Sequence, residues 1–517
     1  MKPPSTMPRL LIFLVLAVVS AAMPAQDEAR VLSTFKKAFS APKGKKPGAP
    51  LADKVSALQA TDGLDSGKVA AALVDGWRGL AAELGGLDAQ RAEYRVEMGQ
   101  LIKGQEAVER RTLPRPKFDR LNQLKPIIAK LREQCDGLRE LQLKLGDRIA
   151  DLRRRDSALY LLKKVTGSKK ADLPLRLAAG RAVGGAAAEV IEELATAIAR
   201  ARKAPEQIVL LDAMALAGEA ARVHATPVIK LLSSKEDVVA ERAALALAKI
   251  AVPEAVGPMI TLLSRSTGQM RLRVAAAVEV LTGEQHGDNI GAWNAWWKLE
   301  GPGFRSSGRE LGKGTPSHRK KTNDNYYFGI PQADSKSILY VIDCSGSMQA
   351  PVKMKGGTGD TTRMEACKTE LVRGLGKLQP KQKFAILWYN DLPHFWEDKM
   401  LPASKANIAR AQDFVRELTH ASSTNIHDSL ELGFGLAGRG VYDKYYGTEL
   451  DTIFLLTDGS PTKPDGSLDS TEKILVAVQS WNPLKRVTIH AIAIGKNLND
   501  SFLRQLAREN GGEFKRF

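Results

Sequence analysis

Apolar residues recur every three or four positions through most of the first 300 residues, whereas from Ser337 onward they gather into short unbroken runs. The first pattern predicts helices and the second predicts buried strands. A helix is expected from Val69 to Arg111, where "RTLPRPK" interrupts it, and a second from near Phe118. Along that second helix the apolar positions are Leu121, Leu124, Ile128, Leu131, Cys135, Leu138, Leu145, Ile149 and Leu152, with Gln142 filling the one gap. Such a heptad stripe needs a partner helix. The upstream helix, turned back by the two prolines, is the nearest partner, so residues 67–155 read as an antiparallel helical hairpin or coiled coil. Pro126 predicts a kink or a later helix start.

Between about Asp156 and Gly283 the pattern repeats. "TPVIKLLS" at Thr226 aligns with "GPMITLLS" at Gly257, and "RAALALAK" at Arg242 with "RVAAAVEV" at Arg273, both 31 residues apart. Paired Ala/Leu-rich helices at a fixed period are the signature of a helical solenoid. The pattern resembles HEAT-type repeats of the short bacterial kind, over residues 156–300. "AWNAWWKLEG" places Trp293, Trp296 and Trp297 on one helical face. A cap over the open end of the solenoid explains these tryptophans better than a ligand site. Residues 301–336, rich in turn-forming and basic residues, read as a linker.

From Ser337 strands and helices alternate. The strand candidates are "ILYVID", "KFAILWYN", "TIFLLTDG" and "VTIHAIAIG". Helix candidates run over 363–378, 405–418, 425–436, 471–481 and 500–509. Continuous apolar strands separated by amphipathic helices imply a mostly parallel sheet covered on both faces. The expected fold is therefore multi-domain, with an all-α N-terminal part and a C-terminal α/β Rossmann-like domain over residues 337–517. "GEFKRF" supplies a last edge strand.

Composition changes this picture in three places. Lys2 and Arg9 precede "LLIFLVLAVVSAA", 13 apolar or small residues from Leu10 to Ala22. That is short of the ~20 needed to span a bilayer, so residues 1–25 read as a signal peptide and the protein as exported, to the periplasm, cell envelope or exterior. Residues 26–66, rich in Lys, Pro, Ala and Gly, read as a flexible lead-in. Only three cysteines occur, all in apolar patterns, which excludes a disulfide framework. The net charge of +18 is uneven: Lys and Arg number 23 against 21 Asp and Glu from Ile338 to Phe517, and 53 against 37 before it. The basic N-terminal part suits contact with acidic polymers or a membrane surface. It carries no nucleic-acid motif, and a solvated basic surface explains it more simply.

The candidate chemistry lies at strand ends. "SILYVIDCSGSMQA" finishes a buried strand on Asp343, then Ser345 and Ser347 with Gly346 between them. "STNI" places Thr424 at the opening of a helix, and "FLLTDGSPT" places Asp458 at another strand end. In open α/β sheets ligands bind at the carboxyl ends of strands, and hard cations take oxygen donors. This set, in this order, resembles the metal-ion-dependent adhesion site of the von Willebrand factor A family.

The resemblance implies that Asp343, Ser345, Ser347, Thr424 and Asp458 hold Mg²⁺ (or Mn²⁺ or Ca²⁺), directly or through water. It further implies that an acidic side chain of a protein partner completes the coordination. Metal-assisted hydrolysis needs a placed general base and a substrate cleft. The sequence offers neither, so a non-enzymatic binding or adhesion protein is expected. A scaffold whose helical repeats bind partners, with a merely structural metal site, is the second reading. A regulatory subunit of a chelatase or AAA-type machine is the third, and it sits poorly with an export signal. The loop "MQAPVKMKGGTGDTT" departs from a compact member of the family. None of His427, Asp428 and Asp391 reads as a ligand: Asp428 complements a helix N-terminus, His427 is a packing neighbour and Asp391 lines the rim of the site.

Overall fold

The computed structural model describes residues 25–41, 48–102, 115–304, 311–316, 325–353, 360–420, 423–436, 450–458, 460–495 and 499–517. The expected signal peptide thus lies outside the described residues, save for Ala25. Among the described residues no helix is long and apolar enough to cross a membrane.

The described residues of the lead-in expected to be flexible, 26–41 and 48–66, include two helices. These are α1 (Ala25–Ala38) and α2 (Leu51–Gln59). Leu32, Phe35, Phe39, Ala57 and Leu58 are buried, and Phe35 stacks on Phe39 at 4.3 Å. These side chains join one core with Leu73 and Trp77 of the next helix. The Lys/Pro/Gly-rich stretch between the helices dominates the composition and hides two short amphipathic faces.

Helices α3 (Gly67–Ile102) and α4 (Arg115–Ala150) are 36 residues each, about 54 Å at 1.5 Å per residue. Arg120 bonds Glu97 and Arg139 bonds Asp88, so numbers rise along one helix as they fall along the other, and the pair is antiparallel. Every apolar position of the stripe is buried, and Gln142 is half-buried. Pro126 lies inside α4, which continues through it.

The core runs on into α5 (Arg155–Leu161), α6 (Leu173–Gly185), α7 (Ala187–Arg200), α8 (Ala204–Ala217), α9 (Thr226–Leu231), α10 (Asp237–Ile250), α11 (Val256–Arg265), α12 (Gly268–Thr282) and α13 (Ile290–Phe304). Helices α6, α8, α10 and α12 pack successively in one row. The starts of α10 and α12, residues 237 and 268, keep the 31-residue period. Helix α13 lies against α11. Trp293 is fully buried with its indole N–H donating to Gly287 O at 2.8 Å, and Trp296 and Trp297 are half-buried beside Phe304.

A two-strand hairpin, β1 (Tyr326–Tyr327) with β2 (Ile330–Pro331), leads into the last domain. There follow β3 (Ser337–Asp343), β4 (Pro351–Lys353), β5 (Asp360–Thr362), α14 (Arg363–Leu375), β6 (Lys383–Tyr389), β7 (Pro393–Phe395), β8 (Leu401–Pro402), α15 (Lys405–Glu417) and α16 (Ile426–Leu436). The chain ends with β9 (Thr452–Thr457), α17 (Thr471–Trp481), β10 (Thr488–Ala493), α18 (Asp500–Glu509) and β11 (Phe514–Arg516). The sheet order is β11-β10-β9-β3-β6-β7, with β8 also on β6. Strands β3, β6, β9, β10 and β11 are parallel, and β7 and β8 run antiparallel to β6.

The sheet is therefore mixed and Rossmann-like. One face packs on α14 and α15 and the other on α16, α17 and α18. All seven residues of β3 are buried, as a central strand covered on both faces requires. The expected long loop after Ser347 is in part ordered, because β4 and β5 pair antiparallel.

Candidate functional site

Central strand β3 ends on Asp343, which is wholly buried. One carboxylate oxygen accepts Ser345 N–H at 2.9 Å and the other accepts the Thr457 hydroxyl at 2.8 Å. Burial, and then the neighbouring Asp458 charge, push the Asp343 carboxyl up to about 6, against the pull of its hydrogen bonds. The alternation D-C-S-G-S turns Ser345 and Ser347 to one side. Cys344, between Asp343 and Ser345, lies in the apolar core.

Ser345 Oγ and Ser347 Oγ are 3.0 Å apart, and the Ser347 hydroxyl donates to Asp458 Oδ1 at 2.6 Å. Ser345 is buried and Ser347 is exposed, so the cluster opens to solvent on the Ser347 side. Asp458 directly follows β9, the strand beside β3.

Four of the five expected residues thus form one bonded network. Thr424 is buried and held by its backbone: its N–H donates to Thr462 Oγ1 and its carbonyl accepts from Thr462 N, both at 2.8 Å. Next to it, Asn425 N donates to Asn390 O at 2.8 Å, at the end of β6, the other neighbour of β3. The Thr424 turn is therefore tied both to the strand end beside Asp343 and to the loop that follows Asp458.

Two residues of this site were not foreseen. Thr457 supplies the hydroxyl on Asp343. Arg363, at the first position of α14, donates from Nη1 to Asp458 Oδ2 at 2.8 Å. The signal that marks Arg363 is its place at a helix N-terminus, where the macrodipole disfavours a cation unless a carboxylate faces it.

The donors suit a hard divalent ion. In an octahedral Mg²⁺ site with bonds near 2.0–2.1 Å, adjacent ligand oxygens lie about 2.9 Å apart. The Ser345–Ser347 and Ser347–Asp458 separations of 3.0 and 2.6 Å bracket that value. The free thiols Cys135, Cys344 and Cys367 are all buried, and burial pushes Cys135 up to about 12. None offers a thiolate to a softer metal.

Residues 336–515 match the family described as von Willebrand factor type A domain. These residues form a von Willebrand factor A domain. Among relatives, the inter-alpha-trypsin inhibitor heavy chain H1 of Mesocricetus auratus is 30% identical over 185 residues, which are 34% of this chain and 18% of that protein. The human heavy chain H1 is 28% identical over the same length, with 35% and 18% covered. The chain thus spans less than a fifth of the length of these relatives. A von Willebrand factor type A structure from Catenulispora acidiphila matches at 22% identity and a TM-score of 0.28, over 36% of this chain and 40% of that one. Proximal thread matrix protein 1 from the mussel byssus, solved with a zinc-occupied MIDAS motif, matches at 20% identity and a TM-score of 0.25, over 35% and 41%.

Asp391, expected on the rim of the site, and Asp428, expected at a helix N-terminus, both pair with cations of the hairpin. Asp428 sits in the first turn of α16, as its sequence position suggests, but its carboxylate faces cations of the helical hairpin. Arg95 approaches it at 2.5 Å, and Lys125 lies 3.0 Å from Asp391. A few of the cations of the N-terminal part are not on a solvated surface: Arg91, Arg132 and Arg139 are buried.

Proposed function

We propose that this von Willebrand factor A domain is a divalent-cation-dependent protein-binding module, without catalytic chemistry of its own. Asp343, Ser345, Ser347, Thr424 and Asp458 would hold Mg²⁺, or Mn²⁺ or Ca²⁺. The observation that carries this reading is the spacing of the Ser345, Ser347 and Asp458 oxygens at the solvent-open end of the central strands.

The bound cation would supply positive charge for a carboxylate of a partner. The chain's residues do the rest. Ser345 and Ser347 contribute neutral oxygens and so leave that charge largely uncompensated. The buried Asp343 orients the serine turn through the Ser345 N–H. The exposed Ser347 edge leaves an approach for an Asp or Glu side chain. We further propose that the protein is exported, and that the hairpin (67–155) and a HEAT-like array (156–300) carry the domain.

A scaffold role, with partners on the helical repeats, is the second reading. The burial of hairpin arginines against the domain favours it, since such packing builds a rigid frame.

Calorimetric titration with Mg²⁺, followed by capture of partners from envelope and culture extracts with Mg²⁺ or chelator, separates the two. Ser345→Ala is expected to weaken Mg²⁺ binding by at least tenfold and to abolish chelator-sensitive capture. Capture that persists in Ser345→Ala after Mg²⁺ binding is lost would refute the adhesive reading in favour of the scaffold.

A further inference from the structure

The hairpin reaches the carboxyl end of the sheet and contacts three segments beside the cation site: the loop after β6, the start of α16 and the loop before α17. Lys125 pairs with Asp391, which follows Asn390 at the end of β6. Arg95 pairs with Asp428 at 2.5 Å and with Glu431 at 2.7 Å, while Arg91 also bonds Glu431. Arg132 bonds Asp469, in the loop between β9 and α17, and lies 3.9 Å from Asp428, so it spans that loop and the start of α16.

Asp428 through its carboxylate, and Asp391 and Asp469 through their backbones, are each one hydrogen bond from a residue that adjoins Thr424 or its partner Thr462. The Asn425 side-chain amide donates to Asp428 Oδ2 and to Asp391 O, both at 3.0 Å, and Asn425 adjoins Thr424. Asp469 N donates to Pro461 O at 2.9 Å, beside the Thr462 that holds Thr424. Leu392 packs into an apolar seam with Met98, Leu121, Leu124 and Ile128 of the hairpin. His427, Asp428 and Glu431 come close enough to suggest a second cation site, but the guanidinium groups of Arg91, Arg95 and Arg132 already supply the positive charge there.

We propose that Lys125, Arg95 and Arg132 are positioning residues for the cation site: the docked hairpin holds the Thr424 turn and the loop after Asp458 in place. Cation binding and hairpin docking therefore stabilise each other. The inference rests on the cation-binding reading above. Because coupling between sites is reciprocal, it has two independent readouts: the hairpin variants change Mg²⁺ affinity, and Mg²⁺ changes the protection of the hairpin.

The test uses the full chain. Mg²⁺ affinity is measured by calorimetry for wild type, Lys125→Gln, Arg95→Gln and, as a control, Arg120→Gln, whose guanidinium bonds, among the described residues, Glu97 and Gln123 of the hairpin. The expected loss is roughly 5- to 150-fold for the first two, the usual range for coupled sites, and none for the control. Hydrogen exchange of the wild-type protein with and without Mg²⁺ needs no variant to fold. It is expected to slow across α3, α4 and α16 on addition of Mg²⁺, and Ser345→Ala is expected to show no such response. Unchanged affinity in folded Lys125→Gln and Arg95→Gln, or unchanged exchange in Mg²⁺-saturated wild type, overturns the coupling and leaves the cation site standing. Failure of wild type to bind Mg²⁺ at all overturns the cation site, and the coupling with it.

Discussion

Asp458 serves two partners at once: Oδ1 takes the Ser347 hydroxyl, and Oδ2 takes the guanidinium of Arg363. Arg363 is mostly shielded from solvent, so its charge is felt by any ion that approaches the same carboxylate. Gly495 makes room for it; with φ at +111°, a Cβ there would sit 2.5 Å from Arg363 Nε. Replacing Arg363 by Ala removes a competing cation, and the expected result is tighter Mg²⁺ binding by about tenfold, or about 1.4 kcal/mol. The metal-free protein should melt earlier, because Asp458 loses its counter-charge, and added Mg²⁺ should restore the loss. Calorimetry and melting curves with and without Mg²⁺ check both signs. The serines and the two aspartates were legible in the sequence because they sit on short local patterns at strand ends. Arg363 was not, since its partner lies 95 residues away and its place at a helix start calls for a carboxylate without naming which.

Amphipathic period placed the helices of the last domain to within a few residues, for example α14 at Arg363–Leu375 and α18 at Asp500–Glu509. The period works where one face is buried and the other wet. It failed for β7 and β8, which have three and two residues and lie on the sheet's antiparallel edge, too short to show any period. It failed again for α1 and α2, where composition outweighed spacing. In α4 the stripe holds the hairpin through residues such as Leu145, which is fully buried. Leu145→Ala should cost about 2–5 kcal/mol, the range for truncating a buried leucine. Leu299, 79% exposed on α13, should cost no more than about 0.5 kcal/mol when changed to Ala. Urea midpoints read by helical circular dichroism compare the two variants.

The von Willebrand factor A domain is held from two sides. At the carboxyl ends of its strands stands the hairpin. Toward the start of β10, Arg242 donates to Leu484 O at 2.5 Å and Arg273 to Arg486 O at 3.2 Å. The hairpin contact is mainly ionic, so it must answer to acid. For Asp428, burial opposes the charge, but Arg95, then the His427 ring and Arg132, outweigh it and hold the carboxyl well below its ordinary value. For Asp136, burial is likewise outweighed, by His427, Arg132 and Arg139. A depressed folded pKa stabilises the docked state fully above the unfolded value of about 3.9, and the gain is lost as pH falls through the folded value. Docking should therefore be insensitive to pH from 7 down to about 4 and should weaken below that, although Arg91, Arg95, Arg132 and Arg139 stay charged throughout. High salt should act differently. At 1 M the Debye length is about 3 Å, yet Asp428, Glu431, Asp469 and Arg132 are buried, and buried pairs are poorly screened. Exchange protection across α3, α4 and α16, followed against pH and against NaCl, should fall below pH 4 and hold in salt. A loss of protection in 1 M NaCl at pH 7 would mean that exposed charges hold the hairpin and that the buried arginines contribute little to docking, and a loss already at pH 6 would mean that a group other than these carboxylates controls it.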